Sequence, residues 1–194
     1  MTMAKLFYVI GPSGAGKDSL LNHLRQHYSP DDGIAVAHRY ITRDANAGGE
    51  NYISLSEEEF LHRKEAGLFF MDWQSHGYYY GIGLEVSIWL GRGINVVVNG
   101  SRGYLPEARV RFNNVRPILV HVETDILRER LLARGREPNT QIEKRLARAS
   151  QSDSDLLSSN TVLKVDNNGP IELAGKALFD LIMSEVGCSR QVAI

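Results

Sequence analysis

The seven residues GPSGAGK, Gly11 to Lys17, restrict this chain more than any other stretch. They fit G-x-x-x-x-G-K, and they stand between a short apolar run, Lys5 to Ile10, and a segment, Asp18 to Tyr28, where Leu20, Leu21 and Leu24 recur with helical spacing. Strand, glycine loop and helix in that order form a phosphate cradle. Glycines let the backbone turn its amide hydrogens inward, and the helix start adds the positive end of its dipole. Lys17 then reaches the β and γ oxygens of a triphosphate. Gly11, Pro12, Ser13, Gly14, Ala15, Gly16, Lys17, Asp18 and Ser19 are therefore the expected ATP contacts. The pattern asks for Ser or Thr after the lysine to hold Mg²⁺, whereas this chain has Asp18 followed by Ser19. Three readings stay open: Asp18 as metal ligand, Ser19 in its place, or Asp18 as a complement to the helix dipole.

The rest of the chain alternates strand and helix. Apolar β-rich runs without alternation, Ile94 to Val98 and Ile118 to Val122, are strands buried on both faces of a parallel sheet. Further strands are expected at Ile34 to Tyr40 and near Thr161 to Val165. Helices are expected after Ser56, over Tyr104 to Phe112, Asp125 to Ala133, Thr140 to Leu156 and Ile171 to Val186. Such alternation predicts an α/β fold of three layers with a parallel sheet. With 194 residues the chain suits a single domain, 1–194. A net charge of −1 gives no polybasic or polyacidic signal toward nucleic acid or membrane. The apolar stretch of MTMAKLFYVIGPSG runs into a glycine loop rather than a cleavage site, and no run approaches the ~20 apolar residues of a spanning helix. One cysteine, Cys188, precludes an internal disulfide, so the cytoplasm is the expected location.

Arginines recur at positions 128, 130, 134, 136, 145 and 148. Arg134 and Arg136 flank Gly135 ahead of Pro138, and Arg145 lies on the following helix, an arrangement suited to a hinged basic lid over about 134–145. Arg128 and Arg130 read as a solvated helix face with acidic partners such as Glu129 and Glu143. Arg39 and Arg43 bracket Tyr40 to Thr42 at a strand end, where α/β sheets bind ligands, so they are candidates for an acceptor phosphate. His38 and His76 lack metal-ligand spacing, and Tyr78, Tyr79 and Tyr80 serve equally for stacking or core.

GPSGAGK, TRD, NYISLSEEEF, EAGLFF, HGYYYG, RLLARGRE and IEKRLARA, in that order, resemble the guanylate kinase superfamily over nearly the whole chain. The resemblance implies a P-loop kinase fold with an acceptor-binding insertion at about 40–90. Guanylate kinases carry a glutamate in the segment matching FFMDW, where Met71 is expected to stand. They carry an aspartate in that matching VVVNGSR, where this chain has Asn99, and a second arginine after the one matching Arg43. Guanine recognition is thus degraded while the phosphate apparatus is kept. GPSGAGKDSL, AHRYITRDA, YYYGIGLEV, LPEAR and RGRE further resemble the branch that phosphorylates ribose 1,5-bisphosphate. That likeness implies, in phosphonate breakdown, transfer of the γ-phosphate of ATP to the 5-phosphate of ribose 1,5-bisphosphate, giving 5-phosphoribosyl 1-diphosphate, with the 5-phosphate as acceptor expected at Arg43. It implies Arg43, Tyr52 and Tyr80 at the acceptor phosphate, and Lys17, Arg134, Arg136 and Arg145 as charge-neutralising residues, with no covalent intermediate. Asn99, Ser101 and Arg102 are expected near the sugar and its 1-phosphate. A nucleoside monophosphate kinase and a non-catalytic binding module are the rival readings, and a homo-oligomer stays open.

Overall fold

A computed structural model of the chain describes residues 3–47, 51–135 and 139–191. Five strands form the central sheet: β1 (Leu6–Ile10), β2 (Ile34–Val36), β7 (Asn95–Asn99), β8 (Val115–His121) and β9 (Leu163–Asp166). Their order is β2-β7-β1-β8-β9, and every pairing is parallel. All five residues of β1 are buried, and they divide by parity. Phe7 and Val9 face a core built with α1 (Lys17–His27), α5 (Thr124–Arg134), α6 (Asn139–Leu157) and α7 (Ile171–Gln191). Leu6, Tyr8 and Ile10 face a second core shared with α3 (Glu85–Gly91) and α4 (Leu105–Arg111). A strand covered on both faces has no polar side to show, which is why these runs lack alternation.

A second sheet, in the order β4-β3-β6-β5, is built from β3 (Arg39–Ile41), β4 (Ile53–Ser54), β5 (Phe69–Ser75) and β6 (Tyr78–Gly83). The run expected as one strand, Ile34 to Tyr40, is therefore two. Ala37 makes its last bond to Val97 of the central sheet, and Arg39 already pairs with Ile82 of β6. Between β4 and β5 lies α2 (Glu57–Glu65), whose Ser56 side chain accepts from the Glu59 amide at 3.0 Å as an N-cap. The β5–β6 hairpin turns at His76 and Gly77, both at positive φ. Its register shifts between Phe69 and Met71, and this bulge decides which β5 side chains face the protein's centre.

Candidate active site

The glycine loop folds as the motif requires. Gly16 has φ +84, and a Cβ there would come within 2.5 Å of Asn167 Nδ2, so no side chain fits. Asn167 ends the loop's support: it is buried, and its Nδ2 donates to the Ala15 carbonyl at 2.7 Å. The N-cap of α1 is that same Gly16, which has no side chain to cap the helix, so the amides of the first turn are left for a ligand. Lys17 Nζ donates to the carbonyls of Gly11 (2.8 Å) and Pro12 (3.0 Å), folded back over the loop.

A cleft of about 970 Å³ opens above the loop, between it and the second sheet. Its lining includes Gly11, Ser13, Lys17, Asp18 and Ser19 from the loop side, Arg39, Trp73 and Tyr80 from the second sheet, Arg43 just beyond β3, and Asn99, Ser101 and Arg102 from the end of β7. Tyr52 is beside it, with the Arg43 guanidinium over its ring at 4.5 Å and its hydroxyl donating to the Asp44 carbonyl. A smaller cavity of about 340 Å³ lies under α5 and α6, lined by Pro12, Ser13, Arg102, Gln141, Lys144 and Arg145 among others. Arg134 is the last residue of α5, and Arg136 lies outside the described residues.

The two unusual residues of the motif region meet. Asn99, 1% exposed, donates from Nδ2 to Asp18 Oδ1, and Arg39 Nη2 lies 3.7 Å from the same oxygen. Asn99 Oδ1 is buried without a hydrogen-bond partner. Among the described residues no cluster of three His, Cys, Asp or Glu side chains forms a metal cage. One positioned carboxylate in a phosphate-binding cleft nevertheless suits Mg²⁺, which keeps several waters and is shared between one or two carboxylates and substrate phosphates.

The guanylate kinase family model matches residues 3–184. The chain is 47% identical to the ribose 1,5-bisphosphate phosphokinase PhnN of Thiobacillus denitrificans, with 100% of both chains covered. It is 48% identical to the protein of that name from Desulfomicrobium baculatum, over 97% of this chain and 100% of the relative. The chain belongs to the ribose 1,5-bisphosphate phosphokinase family. A crystal structure of guanylate kinase from Anaplasma phagocytophilum matches 95% of this family member and 87% of its own chain, with a TM-score of 0.66 at 18% identity, a likeness of fold.

Against that background, several residues of this phosphokinase-family chain stand differently from their expected places. Met71 is fully buried in the second core, so it does not present its thioether to the cleft; Trp73, two residues on, lines it instead. Arg102, expected at the sugar, lines the cleft and also donates to Asp153 of α6 at 2.9 Å. His121, at the end of β8, lies 3.8 Å from the same carboxylate. Burial raises the Asp153 carboxyl above the ordinary range, against the opposing pull of Arg102, His121 and Lys17. Arg128 fits its solvated reading, with contacts to Glu143 at 3.0 Å and Asp125 at 3.0 Å. Arg130 does not: its Nη1 is buried without a partner, about 4.0 Å from where a Cβ on Gly16 would be. Its proximity to the loop was invisible in sequence because α5 meets the loop only through the fold. Tyr8 was equally hidden inside an apolar run. Its Oη accepts from the Ser101 amide at 2.9 Å, its ring fills the space beside Gly100, and burial holds its phenol well above the usual range. The tyrosine thereby fixes the segment that carries Asn99 to Arg102.

Proposed function

We propose that this protein transfers the γ-phosphoryl group of ATP to ribose 1,5-bisphosphate, yielding 5-phosphoribosyl 1-diphosphate and ADP. The observation that carries this reading is the juxtaposition, in one cleft, of an intact phosphate loop with an arginine-bearing second sheet, in a chain 47% identical over its whole length to proteins named for that reaction. The product carries its diphosphate on C1, so the new P–O–P bond must form on the 1-phosphate. Atom balance thus corrects the expectation that the 5-phosphate is the acceptor, and the 1-phosphate takes the place at Arg43, Tyr52 and Tyr80.

In this reading an ionised oxygen of the 1-phosphate attacks Pγ, and the bond from Pγ to the β–γ bridging oxygen breaks with its electron pair leaving on ADP. No general base is required, because the nucleophile is already deprotonated. Catalysis is alignment and charge neutralisation. The α1 amides and Lys17 hold the β and γ phosphates. Arg130 of α5, near the loop, and Arg145 of α6 supply positive charge, and Arg134 and Arg136 are assigned the same neutralising role by the resemblance to the kinase family. Asp18, held by Asn99, is the residue to bind Mg²⁺, with Ser19 beside it. When bound, Mg²⁺ neutralises charge on the β and γ oxygens. ATP as donor agrees with a cytoplasmic setting, and among the described residues no helix is long and apolar enough to cross a membrane.

The test is phosphoryl transfer from ATP and Mg²⁺ to ribose 1,5-bisphosphate or to GMP in parallel, with products identified by ³¹P NMR. The expected result is the 1-diphosphate of ribose 5-phosphate. A tenfold or greater kcat/KM preference for GMP, about 1.4 kcal/mol in transition-state terms, would sink the sugar-phosphate reading.

A further inference from the structure

The acceptor proposed above has two phosphates, and Arg43 with its tyrosines accounts for the one that reacts. Arg39 opens β3 opposite Ile82 of β6, and its side chain is only 12% exposed although it lines the large cleft. It lies 3.7 Å from Asp18 Oδ1 and 5.1 Å from the centroid of the Tyr80 ring. Tyr80 in turn lies parallel to Trp73, at 5.6 Å between centroids and 2° between planes. A guanidinium seated on an aromatic face and beside a carboxylate is held in one orientation, unlike a surface arginine. Arg43 follows four residues later. Arg43 lies just past the end of β3 at Ile41 and lines the same cleft as Arg39. Two long cationic side chains lining one cleft match an acceptor with two anionic groups.

We propose that Arg39 is the specificity-determining residue that binds the 5-phosphate, the phosphate that does not react, and that in doing so it excludes nucleotides. This deepens the sugar-phosphate reading and rests on it. Exclusion follows from the same placement: the guanidinium covers the face of Tyr80 on which a base entering the cleft would stack. A bisphosphate needs no such face and meets a fixed bidentate donor in its place.

The experiment compares wild type with Arg39→Met, which keeps side-chain length and apolar cover on Tyr80 but removes the charge. kcat/KM is measured with ribose 1,5-bisphosphate and with ribose 1-phosphate, which lacks the 5-phosphate. The variant is expected to lose about a hundredfold on the bisphosphate, chiefly through KM, and at least about thirtyfold less on ribose 1-phosphate. Arg39→Lys should recover part of the loss, and thermal unfolding of each variant establishes that it is folded. Equal losses on both acceptors would overturn the proposal, placing Arg39 at the reacting phosphate or in service of Asp18. No loss on the bisphosphate would overturn it as well. If the wild type itself phosphorylates neither sugar, the underlying function falls, and this assignment falls with it; activity on the bisphosphate with the wrong variant pattern removes only the role of Arg39.

Discussion

At the scale of the residue, Lys17 lies at the loop's mouth, its ammonium donating to the Gly11 and Pro12 carbonyls at 2.8 and 3.0 Å, so its charge costs little. Lys17→Ala should lower kcat by roughly 10²–10³-fold, as loss of one preorganised charge does, while stability falls by only about 1 kcal/mol. Steady-state kinetics and urea unfolding of the same preparation check the pair of outcomes, and near-normal turnover would dismiss the phosphate role of the loop. Asp18 makes a different prediction. Asn99 and Arg39 both contact its Oδ1, an arrangement that orients a carboxylate for a cation. Asp18→Ser should therefore raise the Mg²⁺ concentration needed for half-maximal activity, and Mn²⁺ binding followed by electron paramagnetic resonance should weaken with it. An unchanged metal dependence would pass the role to Ser19 or to water.

At the scale of the element, α6 is tied to the centre of the molecule by Asp153, which meets Arg102 after β7 and His121 at the end of β8. Its carboxyl is raised chiefly by burial. Because the folded value lies above the unfolded one, the folded state binds the proton more tightly; the associated stability is present below the unfolded pKa and is lost as pH rises through the folded pKa. Asp153→Asn cannot ionise and lacks that loss. Whatever the offset at acid pH, the melting temperature of the variant should gain on that of wild type as pH rises from about 4 toward neutrality. A constant difference across that range would show that Asp153 titrates as an ordinary carboxylate. The variant also removes the charge that pairs with Arg102, a residue of the cleft lining.

At the scale of the whole molecule, the cleft lies between a parallel sheet that carries the phosphate loop and a separate sheet that carries Arg39 and Tyr80, with Arg43 just past β3. A pair of ligands that binds one on each side fastens the two sheets together. ADP with Mg²⁺ and 5-phosphoribosyl 1-diphosphate added together should therefore raise the melting temperature beyond the sum of their separate effects. A single ligand at a hundred times its Kd contributes about 2.7 kcal/mol, several degrees for a chain of this size. Strict additivity in differential scanning calorimetry would mean that the two sites are independent. Much of this architecture was legible in the chain. The loop glycines, the buried unbroken runs of β1, β7 and β8, and the Ser56 cap are local statements, each made by a few consecutive residues whose backbone preferences and burial pattern agree. So is the phosphate cradle, because glycine spacing and a following helix suffice to make it. The second sheet was not legible. Its strands β3 and β4 are three and two residues long, and β6 passes from exposed to buried along its length without a period. The bulge in β5 sets the face that Met71 and Trp73 share: Met71 is fully buried in the second core, and Trp73, packed against that core, reaches the cleft, which residue order alone leaves undetermined. Tertiary structure alone also brought Asn99 to Asp18, Arg130 to Gly16 and Asp153 to Arg102. These are meetings between residues 81, about 114 and 51 positions apart, and no local preference of the chain encodes such distances; only the stacking of helices on a sheet of fixed strand order does.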